Sequence, residues 1–504
     1  MQRASCFLLP AASLSLVVLL WSIGEAAAQS ADLAMRSQVA SRAMKEGRFD
    51  EAARIYRELL AGLPDDPGLL LNLGMALAMG GRESEAIAPL ERAVARKPDL
   101  LPAHLFLGSS YLALGEPAKA IAPLERVVAA PSADVEARRM LASAYAETGR
   151  HADAAAQLRR VTLIVPRFPA GWYALGHAYN EIAQAAMATF DDRPEHGPWR
   201  QLLLADAMLA DGRLTDAFAN YREIAAQLPS MATIHDSVAR IYERTGHPDW
   251  AAQERARGVL TPAQCARRKM LCEFRAARYR PTLAAALAAD DAESRYWRVR
   301  AATELARDAF RRLDALPDSR LRREVRATAA MGERRYADAV AELTVALKFA
   351  PGDPALLDDL GAAYYAARDY ERAVATLSPL LRSDPDNPRL LTITGDSLLQ
   401  LQRTDEAVAM LRRAVDRDPG DPTPRLALGR AYVQQGDFAA AIPLIEPQLP
   451  HDQDGSLHVQ LARAYSAVGR KDEAEALLAR SQELQRAAQA KAPAAQAITP
   501  PKKG

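Results

Sequence analysis

One group of residues returns every 34 positions along this chain, and that return constrains the fold more than any other feature. Its fullest form is Trp172-x2-Leu175-Gly176-x2-Tyr179. A second group follows it: an Ala, a large apolar side chain four residues later, often another Ala, and then a Pro. It appears as Ala52, Tyr56 and Pro64, and as Ala86, Leu90, Ala93 and Pro98. Ala373, Leu377 and Pro385 repeat it, as do Ala407, Leu411, Ala414 and Pro419. Aligned on these residues, repeats start near 33, 67, 101, 135, 169, 198 and 232. After a gap of 88 they start again near 320, 354, 388, 422 and 455. A step held this closely through consecutive windows at both ends is not chance, and a period of this length marks stacked supersecondary units.

The recurring residue types have physical reasons. Small residues fall where two helices must approach closely: Gly74, Gly108, Gly176, Gly361, Gly395 and Gly429. Bulky side chains such as Leu73, Tyr111, Tyr145, Tyr364 and Tyr432 fill the space between. Gly stands inside many hairpins, at Gly47, Gly81, Gly115, Gly149, Gly212, Gly246, Gly436 and Gly469, where it can end a helix in the left-handed conformation. Asp66-Pro67, Asp353-Pro354, Asn387-Pro388 and Asp421-Pro422 read as an N-cap followed by Pro in the first turn.

The W-x2-L-G-x2-Y pattern and its Ala/aromatic/Pro successor resemble the tetratricopeptide repeat (TPR). The resemblance covers most of residues 33–488. It implies an all-α fold, an α-solenoid in which helix hairpins stack into a right-handed superhelix. No single hairpin buries its apolar face; stacking makes one continuous core. The resemblance also implies that first helices line a concave face where peptides bind, through positions 2, 5, 9 and 12 of each repeat. Here those positions give Leu71, Met75, Leu105 and Leu112 in the second and third repeats, an apolar surface suited to an extended or amphipathic peptide. Curvature that closes this face, or packing against the N-terminal repeat, is the alternative. Later repeats carry charge there: Asp206, Asp236, Arg240, Asp358, Asp396, Arg430 and Arg463. The family's carboxylate-clamp residues are not matched, since position 5 holds Ser37, Leu71, Leu105 and Arg139.

Charge excludes one class of partner. With 64 basic and 63 acidic residues the net charge is +1, against the surplus a nucleic-acid binder needs. The charge is uneven, however. Residues 255–326 contain 18 Lys and Arg but nine Asp and Glu, so a basic centre lies between acidic arms. Arg278, Arg280 and Arg322 are candidates for an anionic partner there, an acidic protein, phospholipid or charged glycan. Solvated helix faces are the plainer account.

Catalytic signatures are missing. The sequence holds no G-x-G-x-x-G, phosphate loop, H-E-x-x-H, G-x-S-x-G or C-x-x-C. No two histidines stand three or four apart, so no local helical metal pair forms. The expectation is a non-enzyme with no cofactor or metal, binding proteins or peptides. The four tryptophans of residues 29–504 fall between 172 and 297, where the period breaks. They are read as inter-helix packing, with a small-ligand, peptide or glycan site as the alternative. Cys265 and Cys272 are a disulfide candidate in an oxidising compartment. One straight helix would separate them by about 10.5 Å of rise, too far for a bridge, so Cys265 is expected in a loop.

The ends carry targeting and tail signals. Residues 1–28 place Arg3 before an apolar run and end in Ala26-Ala27-Ala28, which reads as an export signal cleaved before Gln29. An uncleaved membrane anchor is the other reading. The Ala and Arg bias resembles a GC-rich bacterial genome, so the expected place is the periplasm or outside. No later stretch is long and apolar enough for a membrane span. The expected organisation is a signal over 1–28, a repeat array over 29–196, two repeats over 197–262, an irregular helical segment over 263–319, a second array over 320–486 and a disordered tail over 487–504. Envelope members of the family help assemble pili, secretion systems or polysaccharide exporters, and the resemblance implies that class of role.

Overall fold

The computed structural model describes residues 32–130, 135–191, 193–491 and 498–501. The expected signal lies outside them. Among the described residues helix follows helix and there is no strand. No described helix is long and apolar enough to cross a membrane. The chain forms two compact units, one ending at Tyr179 and one beginning at Asn180. Their boundary falls inside the helix Pro169–Ala188.

In the first unit hairpins succeed one another: 32–45 with Phe49–Gly62, Pro67–Met79 with Glu83–Arg96, Leu101–Ala113 with Pro117–Val128, and Val135–Glu147 with His151–Ile164. The reversal inside each hairpin is built at repeat position 15, in the left-handed conformation. Gly81 has φ 73° and Gly149 has φ 75°. The next residue's N–H then reaches back to the carbonyl at position 11, as from Arg82 to Leu77 at 2.9 Å and from Arg150 to Tyr145 at 2.7 Å. This satisfies a carbonyl the helix end would leave open. Where Gly is absent the turn persists: Ala277, Arg334, Arg368 and Gln402 all have φ between 57° and 62°. Those residues bear the steric cost of a Cβ in the left-handed region.

Hairpin helices are held by a second recurring contact, between positions 8 and 24. A Cβ added to Gly74 would stand 2.4 Å from Leu90, and one on Gly361 would stand 2.3 Å from Leu377. Gly108 and Leu124, Gly395 and Leu411, and Gly429 and Ile445 repeat the arrangement. All five large partners are 0% exposed. Each buried side chain of this kind is worth about 1.5–3 kcal/mol over its exposed state. The Asp-Pro and Asn-Pro caps form as expected, with Asp66 accepting from the Leu69 N–H at 2.7 Å and Asn387 from Leu390 at 3.2 Å.

The second unit departs from the period twice. At 169 a hairpin was expected, but position 15 is Ala183 within a run of helix formers and the helix runs on to Ala188. A 3-10 turn, Pro194–His196, then leads into the hairpin Gly197–Ala210 with Leu214–Gln227. Within the expected irregular segment one unbroken helix of 23 residues, Ala292–Asp314, is the second departure. No Gly or Pro interrupts it. Both long helices precede an ordinary hairpin, so the unit from Trp172 and the unit from Trp297 share one plan. Regular hairpins resume at Arg320–Gly332 with Tyr336–Phe349 and continue to Ser456–Ala467 with Lys471–Lys491.

Between the two departures lies a degenerate repeat. Its first helix is split into Pro262–Arg267 and Lys269–Arg275, with Arg268 at φ −118° and ψ 58° between them. The break brings Cys265 and Cys272 to a Cα separation of 5.5 Å, joined by a disulfide. Cys265 is therefore helical, not in a loop; the straight-helix distance fails because the helix turns at Arg268.

The long helix Ala292–Asp314 is fixed by a polar cluster. Asp206 accepts from the Tyr221 hydroxyl at 2.6 Å, from Tyr296 at 3.1 Å and from the Arg300 guanidinium. Both tyrosines are fully buried. Burial and the Asp206 charge push the Tyr221 hydroxyl far up. Burial opposes the charge on Arg300, but Tyr296 and Asp206 outweigh it.

Of the expected tail, residues 487–491 and 498–501 are described and the rest lies outside the described residues. The last helix extends to Lys491, past 487, because Ala, Gln and Lys there all favour helix. Ile498 then packs against the core of the second unit.

Two outcomes follow. Arg334→Gly and Arg368→Gly should each raise stability by about 0.5–1 kcal/mol, since the relieved left-handed strain exceeds the added chain entropy, whereas Gly81→Ala should lower it by about 1–2 kcal/mol; urea unfolding followed by circular dichroism measures both. Asp206→Ala leaves Arg300 without its carboxylate and should cost the second unit about 3–5 kcal/mol, read as an earlier tryptophan-fluorescence transition.

Candidate partner-binding surfaces

Two first helices of the N-terminal unit, Pro67–Met79 and Leu101–Ala113, present an uncharged face, whereas Val135–Glu147 carries Arg139 paired with Glu136 at 2.7 Å. Leu71 and Met75 on Pro67–Met79, with Leu105 and Leu112 on Leu101–Ala113, are each partly exposed. Met79 and Leu114 beside them are 48% and 41% exposed. The sequence pattern therefore brings all four predicted positions to adjacent first helices. Behind this face the second, third and fourth repeats are tied together by a tyrosine at position 11 that donates to a glutamate at position 25 of the preceding repeat: Tyr111 to Glu91 at 2.7 Å and Tyr145 to Glu125 at 2.6 Å. Burial, then the neighbouring carboxylate, pushes each phenol up to about 12.

In the second unit the same face is charged and turned inward on itself. Asp358 pairs with Arg389 of the next repeat. Asp396, 6% exposed, accepts from the Tyr365 hydroxyl at 2.5 Å and from Arg430 at 3.0 Å. Asp236 pairs with Arg275 at 2.8 Å. Arg430 thus binds its own neighbour repeat. Arg240 is exposed and donates to Ser237 at 3.0 Å, and Arg463 is exposed with no ion pair among the described residues.

The basic centre is largely neutralised. Arg278 pairs with Glu273, whose carboxyl is held below its usual range by that bond. Arg322 meets Asp314 at 3.0 Å and the Leu316 carbonyl at 3.1 Å, bracing the end of the long helix. Arg323 lies between Asp318 and Glu342, both at 2.7 Å, and Arg326 meets Asp314 at 2.6 Å. Arg280 is exposed and has no ion pair among the described residues, as have Arg267 and Lys269 at the helix break. The window's surplus of cations was legible in sequence. Its neutralisation by Asp206, Asp236, Asp353 and Glu342, all outside the window, was not.

The tryptophans pack. Trp297 is fully buried with its Nε1 3.2 Å from Glu293, Trp172 donates to the Pro166 carbonyl at 2.8 Å, and Trp199 and Trp250 lie against the core. An open apolar groove of about 670 Å³ was not foreseen; Met187, Pro194, Leu203, Leu204 and Ala207 help line it. Its one sequence signal was the Pro and Gly cluster at 194–198, which ends the preceding long helix. Among the described residues no group of three His, Cys, Asp or Glu is placed to hold a metal ion.

Models described as tetratricopeptide repeat match residues 40–100, 106–171 and 359–422, then 398–460, then 455–480. No curated protein matches the chain. Similar solved structures include the MamA protein, 26% identical over 30% of this chain and 81% of that one, with a TM-score of 0.29. MamA MSR-1 is 25% identical over 34% and 98%, with a TM-score of 0.30. MamA from Desulfovibrio magneticus RS-1 is 24% identical over 29% and 84%, with a TM-score of 0.28. Hairpins that reverse at a left-handed fifteenth residue and seat a position-24 side chain on a position-8 glycine occupy the stretches these models match, and the chain belongs to the tetratricopeptide repeat family.

Proposed function

We propose that this chain is a non-catalytic scaffold of the bacterial cell envelope that holds partner segments along the first helices of its N-terminal repeats. TPR proteins bind other proteins or peptides. The contrast between the two arrays carries the reading. First-helix positions are apolar and partly exposed in the second and third repeats, but are charged and largely satisfied by neighbouring repeats in the second unit. An apolar, Met-containing surface adapts to an extended or amphipathic segment. Assembly of a pilus, secretion or polysaccharide-export machine is the kind of task such a scaffold serves. An anionic partner at the centre has less support, because Arg278 and Arg322 are already paired. A glycan or peptide carrier built on the tryptophans is weaker still, because those rings are packed.

Two features support the envelope setting. The apolar run before Ala26-Ala27-Ala28 has the form of a cleaved signal, and the Cys265–Cys272 disulfide suits an oxidising compartment.

Two measurements test the proposal. The protein recovered from its native periplasm should begin at Gln29 by N-terminal sequencing; a chain retaining Met1 in the cytoplasmic fraction would sink the envelope assignment. Met75→Asp with Leu105→Asp should weaken capture of the partner recovered with the unaltered protein at least tenfold, with helicity unchanged by circular dichroism. Undiminished capture by that variant would remove the N-terminal face as the binding surface.

A further inference from the structure

The tyrosine at position 11 meets a glutamate in some repeats and not in others; the residue opposite is Thr344 for Tyr364 and Arg412 for Tyr432. Tyr111, Tyr145 and Tyr465 donate to a glutamate at position 25 of the preceding repeat. For Tyr242 that position is Arg222, which lies over the Phe218 ring at 5.8 Å. A guanidinium only donates, so it cannot take the phenol's proton. The Tyr242 hydroxyl instead donates to the carbonyl of Thr499 at 2.7 Å, across 257 residues of sequence. The second unit therefore returns its C-terminus to its own second hairpin.

The segment that arrives is Ile498-Thr499-Pro500-Pro501. Ile498 and Trp250 both pack against the cluster that contains Phe218 and Tyr242, and Pro501 is buried, while Thr499 and Pro500 between them are exposed. Inward residues three apart match the three-residue turn of a polyproline II strand. Prolines supply no N–H, so such a segment offers carbonyls outward, and a phenol with an unused proton is the complement. The receiving surface is aromatic: Tyr242 meets Phe218 and Trp250 edge to face at 5.6 Å each, and His247 stacks on Trp250 at 4.1 Å. An aromatic floor with a hydroxyl donor is the chemistry by which extended Pro-rich peptides are recognised.

We infer that the Phe218–Tyr242–Trp250 surface is a docking site for an extended proline-containing peptide, and that residues 498–501 of this chain occupy it as an intramolecular ligand. The inference is separate from the N-terminal face proposed above, because none of its residues lies in the first unit. A tethered ligand holds an effective concentration in the millimolar range. A free peptide therefore binds well only when the tail is disabled.

The test keeps the chain at full length. Ile498→Asp with Pro501→Asp disables the tail without touching the receiving surface. A fluorescein-labelled peptide of residues 495–504 is titrated against both proteins by anisotropy. The altered chain should bind at least tenfold more tightly than the unaltered one. Adding Tyr242→Phe to the altered chain should weaken binding about fivefold, the loss of one neutral hydrogen bond. A peptide with both prolines replaced by Ala should also bind more weakly. Equal affinity of altered and unaltered chains, or no binding to either with helicity intact, would overturn the inference. So would a dimer in sedimentation that the tail substitutions dissolve, since the tail would then sit on a second copy. The Met75→Asp, Leu105→Asp variant should bind this peptide as the parent does, so the two readings fail separately.

Discussion

Each regular repeat depends on reversing the chain at its fifteenth residue. The left-handed turn there ends the first helix, satisfies its carbonyl and aims the second helix back along the first. Only then do positions 8 and 24 meet, and where position 8 is Gly the contact leaves no room for a Cβ. The turn outlives its preferred residue: Arg334 and Arg368 accept it because the buried leucines that it brings together repay the strain. Where Ala183 stands at position 15, with helix formers around it and no turn residue, the reversal fails and the helix runs on. Loss of one turn thus produces a long helix and shifts the period to 29.

Charge follows the same architecture. Stacking places each first helix beside the next at fixed register, so acids and bases one repeat apart become partners, as Asp358 with Arg389 and Asp396 with Arg430. Exposed pairs of this kind contribute little individually. Their consequence is that the second unit's first-helix face is largely satisfied from within, while Pro67–Met79 and Leu101–Ala113 carry only apolar and uncharged residues at the corresponding positions. The Asp206 cluster differs in kind. There the charge is mostly buried, and two phenols and a guanidinium converge on one carboxylate from separate helices.

Position 11 joins the fold to its surfaces. A tyrosine facing a glutamate closes a seam between repeats. The same tyrosine facing Arg222 keeps a proton to give away, and the tail's carbonyl receives it.

Local residue types told much of this in advance. The 34-residue period, the Gly turns, the Asp-Pro and Asn-Pro caps and the small residues at helix crossings were all legible, because each depends on neighbours within one hairpin. The four apolar first-helix residues were legible for the same reason. The disulfide's geometry was not, since a distance along a straight helix says nothing about a helix broken at Arg268. Nor was the pairing of Arg275, Arg300 and Arg430, or the return of Ile498–Pro501 to Tyr242, which join residues remote in sequence. The sequence alone determined a stack of helical hairpins, because turn chemistry and period are local. The tertiary structure decided which charges and which tail residues are already engaged, because those partners meet only once the stack has formed.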